Sequence, residues 1–250
     1  ITEHLFRFRR AVDAVGPFWE RSAPSELLAS SMASYVAHHA HADLDAYVQL
    51  LTEAKEQGLA IKLGIEVDYY PGQMELVRDL LADYPFDVVL GSVHWIGAWR
   101  FDHLEDPLQS SQWDAGSVEG FWDAYCACVE ELVATDSCDV LAHLDLIKVA
   151  ARVPAEPEPY WDRLAAAVLG SGLAVELSSA GWRKPVEEPY PALALLERLA
   201  HAGVAFTTAS DAHHESEVGS RMDALKELAT SVGLTSLASF DRRARVEVAL

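Results

Sequence analysis

The stretch Ile61–Tyr69, IKLGIEVDY, decides how this chain is read. Ile61, Leu63 and Ile65 set an apolar strand pattern, and Glu66 stands near its end. A carboxylate in that position is costly to bury unless a cation or hydrogen-bond donors receive it. Taken alone, Glu66 reads as a salt-bridged residue at a strand end. The same arrangement recurs, however: VVLGSVH ends at His94, DVLAHLD carries His143, and VAFTTASDAH brings Asp211 and His213. Apolar runs that repeatedly deliver a histidine or an acid at the carboxyl end point to a metal site at the mouth of a barrel.

Outward from that stretch the chain alternates strand and helix. Asp43 is placed to cap a helix running from Leu44 through Ala54 to Gly58. After Pro71-Gly72 a helix is expected over Met74–Ala82, then a strand at Asp87–Gly91. The long connection Trp95–Gly116 reads equally as a pocket wall and as a packed surface loop. Helices near 117–135, 160–170, 192–202 and 216–231 alternate with strands at Asp139–Ala142, Leu173–Leu177 and Val204–Thr208, with a last strand at Ala244–Val248. The opening ITEH resembles the tail of a strand, and residues 5–43 show no clear period. Within them, His38-His39-Ala40-His41 is expected to be a solvated loop or helix start, because adjacent positions diverge and no nearby ligand completes a site. Strands apolar on both faces imply a parallel sheet covered by helices. The ligand-type residues favour a barrel over an open doubly wound sheet, which would show a glycine-rich phosphate loop.

The chain's 250 residues suit one domain spanning 1–250, and half of them are hydrophobic. Thirty-nine acids against 19 Lys and Arg give a net charge of −20, which argues against nucleic acid and anionic membrane as partners. No apolar run reaches the roughly 18 residues of a membrane span. Cys126, Cys128 and Cys138 form no disulfide framework, so a reducing, cytoplasmic location is expected.

His4, His94, His143 and His213, joined by Glu66 and Asp211, form a mixed imidazole and carboxylate set. Such a set suits Zn²⁺, Mn²⁺ or Fe²⁺ better than Ca²⁺. Two ions about 3.5–4 Å apart clamp the attacking and leaving oxygens of an in-line displacement, which phosphate-ester hydrolysis most needs. Metal-assisted amide hydrolysis or deamination is the neighbouring possibility. Arg183 and Lys184, just past a strand end, suit a phosphate dianion, or else form a solvated pair neutralised by Glu187 and Glu188. Glu188 is an alternative acceptor for a substrate ammonium, and Glu176 is placed to orient a ligand.

In order and spacing, ITEH, GIEVDYYPG, GSVHWI, AHLDLIK, SSAGWRKPVEEPYP and TTASDAHHESEVG resemble the histidinol-phosphatase branch of the polymerase-and-histidinol-phosphatase (PHP) family. The resemblance implies a distorted TIM-like (β/α)7 barrel that holds up to three metal ions. The implied reaction, a step of histidine biosynthesis, hydrolyses L-histidinol phosphate to histidinol and phosphate with a metal-activated hydroxide. It implies that Glu66 bridges the first two metals, that His94 and His143 bind the second and Asp211 the first, and that His4 and His213 bind the third. Arg183 is implied as a phosphate contact, which makes Glu66, Asp211 and Arg183 the catalytic set, with Lys184 and Glu188 beside the substrate. Family members open with a strand ending in an HxH motif, which this sequence does not show before Ile1. The expectation is therefore a barrel lacking its first strand, either a piece of a longer protein or a shortened, non-catalytic metal-binding relative. A PHP phosphoesterase with another substrate is the remaining alternative.

Overall fold

The computed structural model describes residues 1–20 and 25–250. Six parallel strands pair in sequence order: β1 (Thr2–His4), β2 (Gly64–Asp68), β3 (Val88–Ser92), β4 (Val140–Leu141), β5 (Ala174–Ser178) and β6 (Phe206–Ala209). An antiparallel hairpin, β7 (Ser236–Asp241) and β8 (Ala244–Ala249), forms a separate two-stranded sheet. Nine α-helices connect the described elements: α1 (Arg9–Val15), α2 (Glu26–His39), α3 (Leu44–Glu56), α4 (Met74–Leu81), α5 (Pro107–Ser111), α6 (Val118–Ala134), α7 (Glu158–Val168), α8 (Leu193–His201) and α9 (Met222–Ser231). Asp43 caps α3 as expected, its Oδ1 accepting from the Ala46 amide at 3.0 Å. Among the described residues no helix is long and apolar enough to cross a membrane.

Parallel strands joined by crossover helices need cover on their outer face, and the side-chain alternation supplies it. Ile65 and Val67 of β2, Val89 of β3, Leu141 of β4 and Val175 and Leu177 of β5 join the main core with helix residues such as Val77, Val129, Leu164 and Leu195. The alternate positions turn inward. There Leu90, Val140, Ala142 and Ala174 make a second, smaller cluster completed by Ala238 and Phe240 of β7. The hairpin therefore plugs the inside of the curled sheet. Burying a phenylalanine stabilises by about 1.5–3 kcal/mol.

The barrel architecture inferred from the sequence is present, built here on six parallel strands. Three local expectations are revised. The unreadable stretch 5–43 contains α1 and α2, and His38 and His39 end α2 rather than begin a helix. The tail carries β7 as well as β8, because Phe240 needs the barrel interior to be buried.

Candidate metal centre

The register explains why distant residues meet. His4 ends β1 directly opposite Glu66 of β2. Because side chains alternate along a strand, Glu66 and Asp68 share the inward face, and both are buried, at 5% and 0% exposed. His94 lies two residues past β3, His143 two past β4, and Asp211 two past β6. His143 and Asp211 both adopt positive φ, 28° and 47°, a conformation that costs a non-glycine residue and clusters at functional sites. It brings His143 to Glu66, whereas Asp211 and His213 fall in neither of the close donor groups that the centre forms.

Glu66 is the centre of the group. Its Oε1 lies 3.2 Å from His143 Nε2 and 3.6 Å from His94 Nε2, and its Oε2 lies 3.8 Å from His4 Nδ1. The His94 ring stands 4.9 Å from that of His143 and 5.2 Å from that of His4, and the His4 ring lies 5.7 Å from that of His213. Asp68 accepts from His94 Nδ1 at 2.6 Å, leaving His94 Nε2 directed at Glu66.

Burial disfavours the charged form of Glu66, but His4, the His143 hydrogen bond and His94 outweigh it and hold the carboxyl well below its usual range. Burial likewise acts to lower His94, yet Asp68 and Glu66 carry it up to about 10. His143 moves up as well, the Glu66 hydrogen bond overcoming its burial. Glu176, buried on β5, is pushed up to about 8 by desolvation, with Asp211 and Glu66 adding to the shift. The centre is a place built for positive charge.

Whether a metal ion fits can be judged from the donors themselves. Nitrogen and oxygen ligands about 2.0–2.2 Å from a tetrahedral ion stand roughly 3.4 Å apart. The His143 and His94 nitrogens lie 3.2 and 3.6 Å from Glu66 Oε1. Two donor groups, Glu66–His94–His143 and His4–Asp68–His94, each bring their ligand atoms within 4.8 Å of one another. Buried His4 Nδ1, Asp68 Oδ2, His143 Nδ1 and Glu176 Oε1 have no hydrogen-bond partner among the described residues. A buried polar atom without a partner costs about 1–3 kcal/mol unless something binds it. The residues fit divalent cations.

Two cavities meet at this cluster. A mouth cavity of about 500 Å³ and an inner cavity of about 770 Å³ are both lined by His4, His143, Asp211 and His213. His213 is half exposed, its Nδ1 3.6 Å from Asp211 Oδ1. Arg183 donates from Nη2 to the carbonyls of Ser210 (2.8 Å) and Asp211 (2.9 Å) and reaches Glu217 at 3.4 Å through Nε. It thereby holds the turn that carries Asp211 and His213, while its Nη1 stays buried and unpartnered. Lys184 lines the mouth cavity from an exposed position.

Arg183 does not line either cavity, and neither does Glu188. Its carboxylate meets Lys148 Nζ at 3.2 Å, and Lys148, almost wholly buried, is also 3.2 Å from Asp145. Gly181 lets this loop close, since a Cβ there would overlap the carbonyl oxygen of Glu188. Sequence reasoning missed Asp68, although its spacing of two from Glu66 in IEVD was the available signal. It also missed Lys148, whose partner lies 40 residues away.

Comparison with known proteins identifies the family. Residues 29–180 match the model of the PHP domain. A Deinococcus radiodurans protein named "Probable histidinol-phosphatase" is 35% identical over 221 residues, covering 88% of this chain and 79% of that protein. A Schizosaccharomyces pombe protein of the same name is 25% identical over 211 residues, covering 79% and 69%. Among solved structures, HisK from Listeria monocytogenes superposes with a TM-score of 0.68 at 19% identity, covering 89% of this chain and 98% of that one. Histidinol phosphate phosphatase from Lactococcus lactis, complexed with zinc, L-histidinol and phosphate, superposes at 0.64 with 18% identity, covering 82% and 80%. With most of its length matched to that domain and a relative above 30% identity, this chain belongs to the PHP family.

Proposed function

We propose that this chain is a metal-dependent phosphomonoester hydrolase that converts L-histidinol phosphate to L-histidinol and phosphate, a step of histidine biosynthesis. One observation carries the reading: the Glu66 carboxylate meets the imidazoles of His4, His94 and His143 at ligand spacing, beside a cavity of about 500 Å³. The names of the Deinococcus and fission-yeast relatives, and the zinc, histidinol and phosphate in the Lactococcus structure, supply the substrate class.

His4, Glu66, His94 and His143 would hold the cations, with Asp211 and His213 completing the set from the turn after β6; zinc, manganese or iron, up to three ions, suit these donors. Such ions supply Lewis acidity at a phosphoryl oxygen and lower the pKa of water. The remaining work belongs to the protein. Asp68 accepts the hydrogen bond of His94 Nδ1–H and so fixes the tautomer that presents Nε2 to the centre. Arg183, which lines neither cavity, holds the Asp211 turn through the carbonyls of Ser210 and Asp211. Lys184 adds a mobile positive charge at the cavity rim.

Phosphate release from L-histidinol phosphate by protein loaded with Zn²⁺ or Mn²⁺ tests the reading, with chelator-treated protein as control. Turnover that depends on the metal is the expected result. No release from this or any other phosphomonoester tried, with metal content verified, rejects the hydrolase. A panel of phosphomonoesters ranked by kcat/KM decides the substrate, and a different ester at the top replaces histidinol phosphate.

A further inference from the structure

The mouth cavity has a second wall opposite the imidazole cluster, made by α2 and the loop after His94. Tyr35, His39, Arg100, Asp102 and His103 line it. Arg100, 5% exposed, fastens this wall. Its amide donates to Gln109 Oε1 at 2.9 Å, and its Nη2 donates to Ser31 Oγ at 3.2 Å and Asp106 Oδ2 at 3.1 Å. The guanidinium lies over the Tyr35 ring, 4.2 Å from its centre. Its Nη1 lies 3.2 Å from His103 Nδ1. A guanidinium can only donate, so this nitrogen of His103 accepts and the ring proton sits on Nε2. Burial holds His103 below its ordinary pKa, with the Arg100 charge acting in the same direction and Asp102 against it.

Arg100 is paired with Asp106, and His103 Nδ1, which accepts from Arg100, has no proton to offer the exposed Glu105 3.5 Å away. Asp102 is left over: it forms no salt bridge among the described residues, and its Oδ1 is shielded from solvent without a hydrogen-bond partner. It shares the cavity with Tyr35 of α2, with His94 and His103 of the segment after β3, and with Tyr190 of the loop after β5. A carboxylate oxygen left without a donor costs about 1–3 kcal/mol, a cost that a ligand ammonium at this wall would relieve.

We propose that Asp102 is the specificity residue that receives the ammonium group of an amino-alcohol phosphate, with Tyr35 and His103 as the aromatic wall beside it. This rests on the hydrolase reading above, in which the phosphate lies at the imidazole cluster. In L-histidinol phosphate the amine is borne by the carbon next to the phosphorylated one, so an acid on the facing wall suits it. Glu188, the acid that the sequence offered for this task, is captured by Lys148 outside the cavity.

The test is calorimetric titration of the metal-loaded full chain with L-histidinol and with its deamino analogue, 3-(imidazol-4-yl)propan-1-ol. Wild type is expected to bind the amine at least about tenfold more tightly, the scale of one charge-assisted hydrogen bond. In Asp102→Asn that preference falls to within about twofold, and in Glu188→Gln it is retained. The kcat/KM ratio for the two phosphate esters follows the same pattern. The proposal is overturned if wild type shows no preference, if Asp102→Asn keeps it, or if Glu188→Gln removes it. Failure of wild type to hydrolyse either ester rejects the hydrolase reading instead, and the binding preference still decides Asp102.

Discussion

The two ends of the barrel bury the same kinds of side chain and treat them in opposite ways. At the amino ends of the strands Asp87, 1% exposed, accepts from Lys55 Nζ (2.6 Å), the Leu63 amide (2.8 Å) and the Arg242 amide (3.4 Å). Asp139 accepts from the Val89 amide at 2.8 Å and faces Arg243 Nε at 3.0 Å. Those carboxylates tie the β7–β8 hairpin to β3 and β4. At the carboxyl ends Glu66, Asp68 and Glu176 are as deeply buried, yet Asp68 Oδ2 and Glu176 Oε1 lack partners and Glu66 draws three imidazoles. Buried acids at one end complete the fold, and at the other they wait for a cation. Acid content alone does not separate the two; satisfaction does.

Two substitutions break that contrast most strongly, one at each end. Glu66→Gln keeps the shape and removes the charge around which the imidazoles gather; kcat/KM should fall about 10³-fold, near 4 kcal/mol, with metal content falling alongside. Unchanged activity and metal content would mean that Glu66 is structural. Asp87→Ala strands a lysine and a buried amide, and urea unfolding should show a loss of about 2–3 kcal/mol, discounted because Lys55 is partly exposed. Metal affinity should stay within about twofold. The Asp87 pKa is a second reading of the same site: burial acts to raise it, but the Lys55 hydrogen bond and the amides prevail and lower it. A depressed carboxyl stabilises above its unfolded value near 3.8 and loses that contribution as pH falls through the lowered one. The gap between wild type and Asp87→Ala should therefore be constant from pH 7 to about pH 5 and close only below about pH 4.

How far the sequence could be read follows the same division. Ile61, Leu63 and Ile65 pointed to β2, although the strand begins only at Gly64, and Asp43 and Pro71-Gly72 marked helix boundaries, because each is a local signal. Helix α2 escaped because only Leu28, Met32 and Val36 are buried along it, a thin stripe among Ala, Ser and His. Strand β7 escaped because Phe240 finds its burial only inside a barrel already formed. At the centre, the repeated strand-end residues His94, His143 and Asp211 were visible as a pattern. The pairing of Glu188 with Lys148, and the isolation of Asp102, depend on which residues are already taken by others, and no local pattern encodes that.

Asp68 refines the comparison at a smaller scale. It is fully buried like Asp87, but one of its oxygens holds His94 Nδ1 and the other has no partner. Asp68→Asn should weaken metal affinity or kcat/KM by about 10–100-fold, the usual cost of losing the acceptor behind a ligating imidazole. Thermal stability should change far less than in Asp87→Ala. A stability loss as large as that of Asp87→Ala, with activity intact, would move Asp68 to the structural class.

The smallest effect lies in the hairpin turn at the amino end. Asp241 pairs with Ala244, so the loop is Arg242-Arg243, and both residues have positive φ, 47° and 65°. Two-residue turns of this kind favour Asn-Gly, since a left-handed residue other than glycine or asparagine costs about 1 kcal/mol. Arg242 contributes its backbone amide to Asp87, and Asn retains that amide. Arg242→Asn should therefore stabilise by about 0.5 kcal/mol. Arg243→Gly relieves the same backbone cost but gives up the ion pair with Asp139, which is partly exposed and worth about 0.2–1 kcal/mol. It should come out near neutral. The difference between the two variants in urea unfolding reads the Arg243–Asp139 pair directly. A Gly variant at least as stable as the Asn variant would mean that Asp139 is held by the Val89 amide alone, and that the hairpin is anchored through Asp87 and the burial of Phe240.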